Sequence, residues 1–432
     1  MSKTEPDSEE EIPRGIPVCP IESDSEEEIM KYVVVLGDGM ADWPMESLNG
    51  GTPLSCAETP CMDELAKVSE IGTVATIPDG MAPGSDTANL SVMGYDPRKY
   101  YTGRSPLEAL SIGVDMKNSD VVYRCNIVTL TEEDVPYEEQ KILDHSSGEI
   151  STEEADILLK DVCRELENEN YHFYTGTSYR HCLVWDNGQV LELTPPHDVL
   201  TQKIGPYLPA DERLLHMQKR SYEILKNHPL NKKRKEQGLN PANSFWFWGA
   251  GTKPILTSFE AIHHKKGVMI SAVDLLKGIA VGAEMDRIVV EGANGGLHTN
   301  YEGKARAAVD ALTKKGYDFA YIHVEAPDEM GHQGSVERKI QSIEYLDQRL
   351  IRLVKEGLDA AGEDYRMLIL PDHPTPVKVR THVAEPVPYL LYDSTAPEQH
   401  DWHYNEKEAA DSGRTVSHGW DMMKYLFGGE LC

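Results

Sequence analysis

Lys31-Tyr-Val-Val-Val-Leu-Gly-Asp-Gly39 is the stretch on which the architecture turns. From Tyr32 to Leu36 the apolar run is continuous rather than alternating. That pattern fits a strand buried on both faces, as in a parallel sheet, with Gly-Asp-Gly as the loop at its carboxyl end. Similar runs recur at 268–272, 287–290, 319–324 and 366–370. Helical patterns alternate with them at 60–69, 273–280, 301–314, 335–361 and 418–427. In the fourth, Val336, Ile340, Ile343, Leu346, Leu350, Val354 and Leu358 recur at three- or four-residue steps and form one apolar stripe. Alternating strands and helices predict an α/β fold, a mainly parallel sheet flanked by helices.

The pattern changes in the middle of the chain. Strand-like pieces at 121–130 and 181–185 accompany polar helices at 152–167 and 211–226. This predicts a smaller inserted α+β domain at 115–245, dividing the core into 31–114 and 246–432. The basic patch Lys232-Lys233-Arg234-Lys235 reads as solvated surface. Residues 1–30 read as a disordered acidic tail, in which Asp-Ser-Glu-Glu-Glu-Ile occurs at 7–12 and again at 24–29.

The chain has 432 residues, 42 Lys and Arg against 72 Asp and Glu, and a net charge of −30. Nucleic acids and anionic membranes call for positive charge, so neither is an expected partner. An anionic substrate needs a local cation cluster or metal ions. No secretory leader and no apolar run of about 18 residues is evident. Seven cysteines without a CxxC pair fit reduced thiols in a cytoplasmic protein.

Hard metal ligands follow the predicted strands. Asp38 follows the first, Asp328 and His332 follow the run ending at Val324, and Asp372 and His373 follow the run ending at Leu370. His382 lies nine residues beyond His373. Open α/β sheets collect ligands at the carboxyl ends of strands, so these residues can converge. Mixed Asp and His ligation suits Mn²⁺ or Zn²⁺ and tolerates Mg²⁺ less well. Three Asp and three His exceed what one ion with an open position needs. Two ions fit better, as in phosphoryl-transfer sites. Singly, each residue has a bland reading as a turn residue, a helix cap or a surface histidine.

Ser85, in Pro83-Gly-Ser-Asp-Thr-Ala-Asn-Leu90, is the candidate nucleophile. Gly84 would allow a tight turn, and the helix opening at Asp86 and Thr87 would put the hydroxyl near free backbone N–H groups. His323 reads as a core residue or a support for a ligand. His263, His264, His400 and His403 read as surface. Gly292-Ala-Asn-Gly-Gly296 lacks the P-loop pattern, and Gly37-Asp-Gly39 lacks the third glycine of a dinucleotide fingerprint.

The chain resembles the archaeal-type, cofactor-independent phosphoglycerate mutases of the alkaline phosphatase superfamily. The matching stretches are LGDGMAD at 36–42, PGSDTANLSVMGYDPRKYYTGRSPLEA at 83–109, TNYEGKA at 299–305, EAPDEMGHQG at 325–334, LPDHPTP at 370–376 and RTHVAEPVP at 380–388. The resemblance implies an alkaline-phosphatase-like core with an inserted cap. It implies one divalent ion on Asp38, Ser85, Asp372 and His373 and another on Asp328, His332 and His382, with Mn²⁺, Mg²⁺ or Zn²⁺ as the metal. Ser85 would carry the phosphoryl group from 3-phosphoglycerate to the 2-hydroxyl without bisphosphoglycerate. Lys304 would stand beside that group, and Arg104, Arg124 and Arg180 would hold the small phosphorylated substrate. No oligomeric state follows.

Members of the family tend to carry Asp-Arg-Arg-Ala-Gly in the cap, where this chain has Leu143-Asp-His-Ser-Ser-Gly148. With both arginines absent, the alternative is a homoserine-kinase-type transferase using ATP on the same metal–serine core. A phosphatase and a scaffold with a fossil site rank lower.

Overall fold

The computed structural model describes residues 30–429. The acidic tail lies outside them. Thirteen strands occur among the described residues. In chain order they are β1 (Lys31–Gly37), β2 (Glu70–Val74), β3 (Val121–Leu130), β4 (Ile142–Asp144), β5 (Tyr171–Tyr174), β6 (Arg180–Trp185) and β7 (Ser244–Thr252). Then come β8 (Gly267–Ile270), β9 (Asp286–Arg287), β10 (Phe319–Val324), β11 (Tyr365–Leu370), β12 (Val387–Asp393) and β13 (Thr415–Val416).

Eight strands form one sheet in the order β13-β2-β12-β11-β1-β10-β8-β9, and every strand but β12 runs the same way. The continuous apolar run of β1 has its expected cause. Val33 and Val35 pack into the core on one face, and Tyr32, Val34 and Leu36 into that on the other. Helices Tyr301–Lys314 and Val336–Leu346 cover the first face. Register matters for function. Leu36 pairs with Leu370 and Gly37 with Val324, so β1, β10 and β11 end level with one another.

The expected 335–361 helix is one continuous rod with a π-helical turn at Asp347–Ile351. The buried Asp347 carboxylate accepts from the backbone N–H of Cys61 (3.1 Å) and Met62 (2.7 Å). It thereby caps the neighbouring helix Pro60–Ala66, whose own Thr59 side chain makes no cap bond. Burial pushes the Asp347 carboxyl up to about 6.

The second sheet is antiparallel. It has the order β4-β3-β6-β5, with β7 also on β3. β7 belongs to this sheet, so the boundary expected at 245 falls inside a strand. The ladder with β3 carries the chain to Thr252 before it returns to the first sheet. The basic patch needs a correction too. It lies on helix Pro229–Glu236, and Arg234 is buried there. Its guanidinium donates to the carbonyls of Ser147 (2.8 Å) and Asn240 (2.9 Å) and pairs with Glu154.

Candidate active site

Because β1, β10 and β11 end level, Asp38, Glu325 and Asp372 leave the sheet side by side. Asp328 and His332 follow one helical turn apart on Ala326–His332, and His382 returns on the connection to β12. Ligand-type atoms fall within 4.8 Å of one another in three groups. These are Asp328–His332–His382, Asp38–Asp328–His373 and Asp38–His323–Asp372. All six predicted Asp and His ligands are therefore together.

Ser85 opens helix Ser85–Val92, and its Oγ lies 3.1 Å from His373 Nε2 and 3.5 Å from Asp38 Oδ2. Gly84 has a different reason from the one expected. Its backbone is extended, and a Cβ there would come within 2.6 Å of Asp86 Oδ1, so the glycine makes room rather than a turn. Gly39 is obligatory twice over. Its φ is +59°, and a Cβ would strike Asp328 Oδ1 at 2.6 Å and Thr375 Oγ1 at 2.5 Å.

The electrostatics demand a counter-charge. Burial, then Asp372 and Asp328, push the Asp38 carboxyl well above the usual range, and its Oδ1 is buried with no hydrogen-bond partner. Burial opposes ionisation of Asp328 as well, but hydrogen bonds from His332 and His382 more than reverse it and hold that carboxyl well below its ordinary value. His332 Nε2 and His382 Nε2 stand 3.0 Å apart, two ring nitrogens aimed at one point. An orphaned carboxylate oxygen, three converging carboxylates and paired imidazole nitrogens fit divalent cations.

Supporting side chains fix this arrangement. His323 Nε2 lies 2.9 Å from Asp38 Oδ2, and burial pushes its imidazole down to about 3, so a neutral ring backs the carboxylate. Asn89, one turn below Ser85, donates to Ser85 O (2.8 Å) and to Asp372 Oδ2 (2.9 Å). Lys339 is fully buried. It donates to Asp42 Oδ2 (2.9 Å), Ala41 O (3.1 Å) and Thr375 O (2.9 Å), and so ties together the loops that follow β1 and β11. Lys339→Met strands a buried aspartate. It should cost about 3–5 kcal/mol, read as a lower urea midpoint; an unchanged midpoint would refute the tie.

A cleft of about 510 Å³ opens beside the cluster, between the two sheets. Arg104, Arg124 and Arg180 all line it. Lys304 does not. It is buried behind the wall with Nζ on His323 O at 2.8 Å, and burial pushes it down to about 8. Glu325 and Glu329 line the cleft and were not singled out from the sequence. Burial, then Glu329, push Glu325 up to about 7. A Cβ on Gly295 would lie 2.0 Å from Glu325 Oε2, so the Gly-rich stretch yields space to a carboxyl group rather than cradling a phosphate. Of the histidines read as surface, His263 differs. It packs 4.5 Å from the Phe259 ring, and burial pushes it down to about 4.

Comparisons with known proteins agree with this geometry. Residues 66–231 match the family described as 2,3-bisphosphoglycerate-independent phosphoglycerate mutase. Proteins of that name from Methanosarcina mazei and Methanosarcina barkeri are 46% and 47% identical over 389 residues, covering 89% of this chain and 96% of each relative. The PH0037 protein from Pyrococcus horikoshii superposes with a TM-score of 0.75 at 30% identity, covering 92% of this chain and 96% of that one. The cofactor-independent phosphoglycerate mutase from Thermoplasma acidophilum gives 0.59 at 25%, covering 92% and 98%. The homoserine-kinase alternative finds no support among these relatives. With nearly the whole folded chain matched to mutases and the metal–serine cluster intact, this chain belongs to the family of 2,3-bisphosphoglycerate-independent phosphoglycerate mutases.

Proposed function

We propose that the chain interconverts 3- and 2-phosphoglycerate through a phosphoserine at Ser85, without bisphosphoglycerate. One observation carries the reading. Ser85 Oγ sits between Asp38 and His373, in the ligand cluster beside an arginine-lined cleft. Asp38, Ser85, Asp372 and His373 would hold one divalent cation and Asp328, His332 and His382 the other. Bound there, the pair would neutralise charge on the phosphoryl oxygens and lower the pKa of the serine hydroxyl. The mixed oxygen and nitrogen donors suit Mn²⁺ or Zn²⁺ better than Mg²⁺.

The side chains do the rest. Ser85 Oγ attacks phosphorus as the bond to O3 of the glycerate breaks, and the serine proton ends on O3, leaving phosphoserine and glycerate. The glycerate turns in the cleft, its O2 attacks the phosphoserine as the bond to Oγ breaks, and the O2 proton ends on Ser85. Arg104, Arg124 and Arg180 hold the anion through the turn by charge-assisted hydrogen bonds. The cap expected at 115–245 would keep water from the phosphoserine by closing over the cleft. Free cysteines at 56, 61, 125, 163 and 182 suit a cytoplasmic setting.

The test is an enolase-coupled assay with 3-phosphoglycerate, before and after chelation, with Mn²⁺ restored. Metal-dependent turnover without bisphosphoglycerate is expected. Silence from intact, metal-loaded protein would overturn the reading.

A further inference from the structure

Glu108 sits on helix Arg104–Ser111 with its side chain 13% exposed, where that helix meets β3 of the second sheet. Its two carboxylate oxygens go to two different arginines. Oε1 accepts from Arg104 Nε at 2.9 Å, and Oε2 lies 3.3 Å from Arg124 Nε in an ion-pair contact. Both contacts use Nε, so the terminal amino groups of both guanidiniums have no hydrogen-bonded partner among the described residues. The Arg124 plane is fixed from the other side by the Trp248 ring, 4.9 Å away. The Arg104 side chain is 40% exposed and opens to the cleft.

We propose that Glu108 is a positioning residue of the cleft, holding Arg104 by a hydrogen bond to Nε and Arg124 by an ion pair, so that their terminal amino groups are free to grip the substrate anion. The inference rests on the mutase reading, because it takes the anion to be phosphoglycerate. It is also a bridge. Arg104 and Glu108 stand on a helix that packs between helix Asp274–Gly282 and strands β3 and β7, and Arg124 on β3, so the carboxylate fixes two cations from different elements in one geometry. A carboxylate is needed there on charge grounds. Arg104, Arg124 and Arg180 converge on the cleft, and burial and those neighbours hold Arg124 below the usual arginine range. Burial pushes the Glu108 carboxyl up as well, but Arg124 and Arg104 more than reverse this and keep it ionised. Glu108 offsets part of the charge of the three arginines it stands among, and Asp274, Glu325 and Glu329 line the same cleft with Lys277. Orientation is the property that a guanidinium loses without an anchor, since its fork grips bidentately only when its plane is fixed.

Glu108→Gln keeps the shape and removes the charge. The expected result is a KM for 3-phosphoglycerate raised about tenfold, with kcat within about threefold of wild type; the thermal midpoint falls as well, because Arg124 loses its buried partner. Glu108→Asp, which keeps the charge on a shorter arm, should fall between the two. Loss of kcat without a rise in KM would mean a merely structural role. An unchanged KM would overturn the proposal, and so would a lower one, which would show that Glu108 only neutralises cations. A second measurement separates this inference from the mutase reading. Inorganic phosphate is titrated calorimetrically into chelated wild type and Glu108→Gln. If the wild type ignores 3-phosphoglycerate yet the variant binds phosphate about tenfold more weakly, the mutase reading falls and Glu108 keeps its role. If phosphate binding is the same in both proteins, Glu108 loses it.

Discussion

Ser85→Ala should lower kcat by about 10⁵-fold while leaving the thermal midpoint where it is. The magnitude follows from removing the one group that carries the phosphoryl group, since loss of a covalent nucleophile costs about this much in other enzymes. The fold should not notice. Ser85 is the first residue of its helix, Gly84 rather than Ser85 stands at the cap position, and among the described residues Oγ hydrogen-bonds only with Asp38 and His373. Alanine is at least as good a helix former there. Loss of the ³²P label from protein incubated with labelled 3-phosphoglycerate is the companion readout. Substantial turnover by the alanine variant would sink the phosphoserine route.

Asp38→Asn should have opposite effects on activity and on the stability of the metal-free protein. Activity should fall about 10³-fold or more, because the variant loses a charged ligand beside the nucleophile. The chelated protein should melt about 2 °C higher than chelated wild type. The sign follows from the site. Asp38 is pushed well above its ordinary value by burial, Asp372 and Asp328, so its ionised form is a burden on the metal-free fold. An asparagine oxygen can still accept from His323, and the new amide can donate toward His373, whose Nε2 lies 3.6 Å from Asp38 Oδ1. Mn²⁺ should then raise the wild-type midpoint much more than that of the variant. A chelated variant less stable than chelated wild type would mean that Asp38 is not paying an electrostatic penalty, and that the cluster is not built around cations.

The kinase alternative arose from the missing arginine pair at 145 and 146. Three other arginines line the cleft without that pair. Arg124 and Arg180 come from β3 and β6, neighbours in the second sheet. The absence of that loop pair therefore leaves three arginines in the cleft.

Much of the centre was legible because its residues obey a local rule. Strands buried on both faces betray themselves by continuous apolar runs, and the loop after each such strand is where an α/β sheet presents chemistry. Asp38, Asp328, Asp372 and His373 could be picked on that basis, and motif resemblance added Lys304 and the arginines. Glu108 lay inside a quoted stretch, yet nothing local distinguishes it from any helical glutamate that pairs four residues back. Its second partner, Arg124, lies on a strand of the other sheet.

What the sequence determined by itself was periodic or adjacent: the strand–helix alternation, the apolar stripe of 335–361, the ligands at strand ends and the serine at a helix start. Those features follow from 2.0- and 3.6-residue repeats and from short-range sterics. Only the tertiary structure decided what depends on which distant atoms share a space. It reversed β12 against its neighbours, drew β7 into the second sheet, and buried Arg234 inside an apparently solvated patch. It gave Gly84 a collision to avoid instead of a turn to make, and set Lys304 behind the cleft wall rather than on it. Burial, desolvation and charge pairing are properties of the packed assembly, and no window of sequence contains both members of a contact such as Arg124 with Trp248.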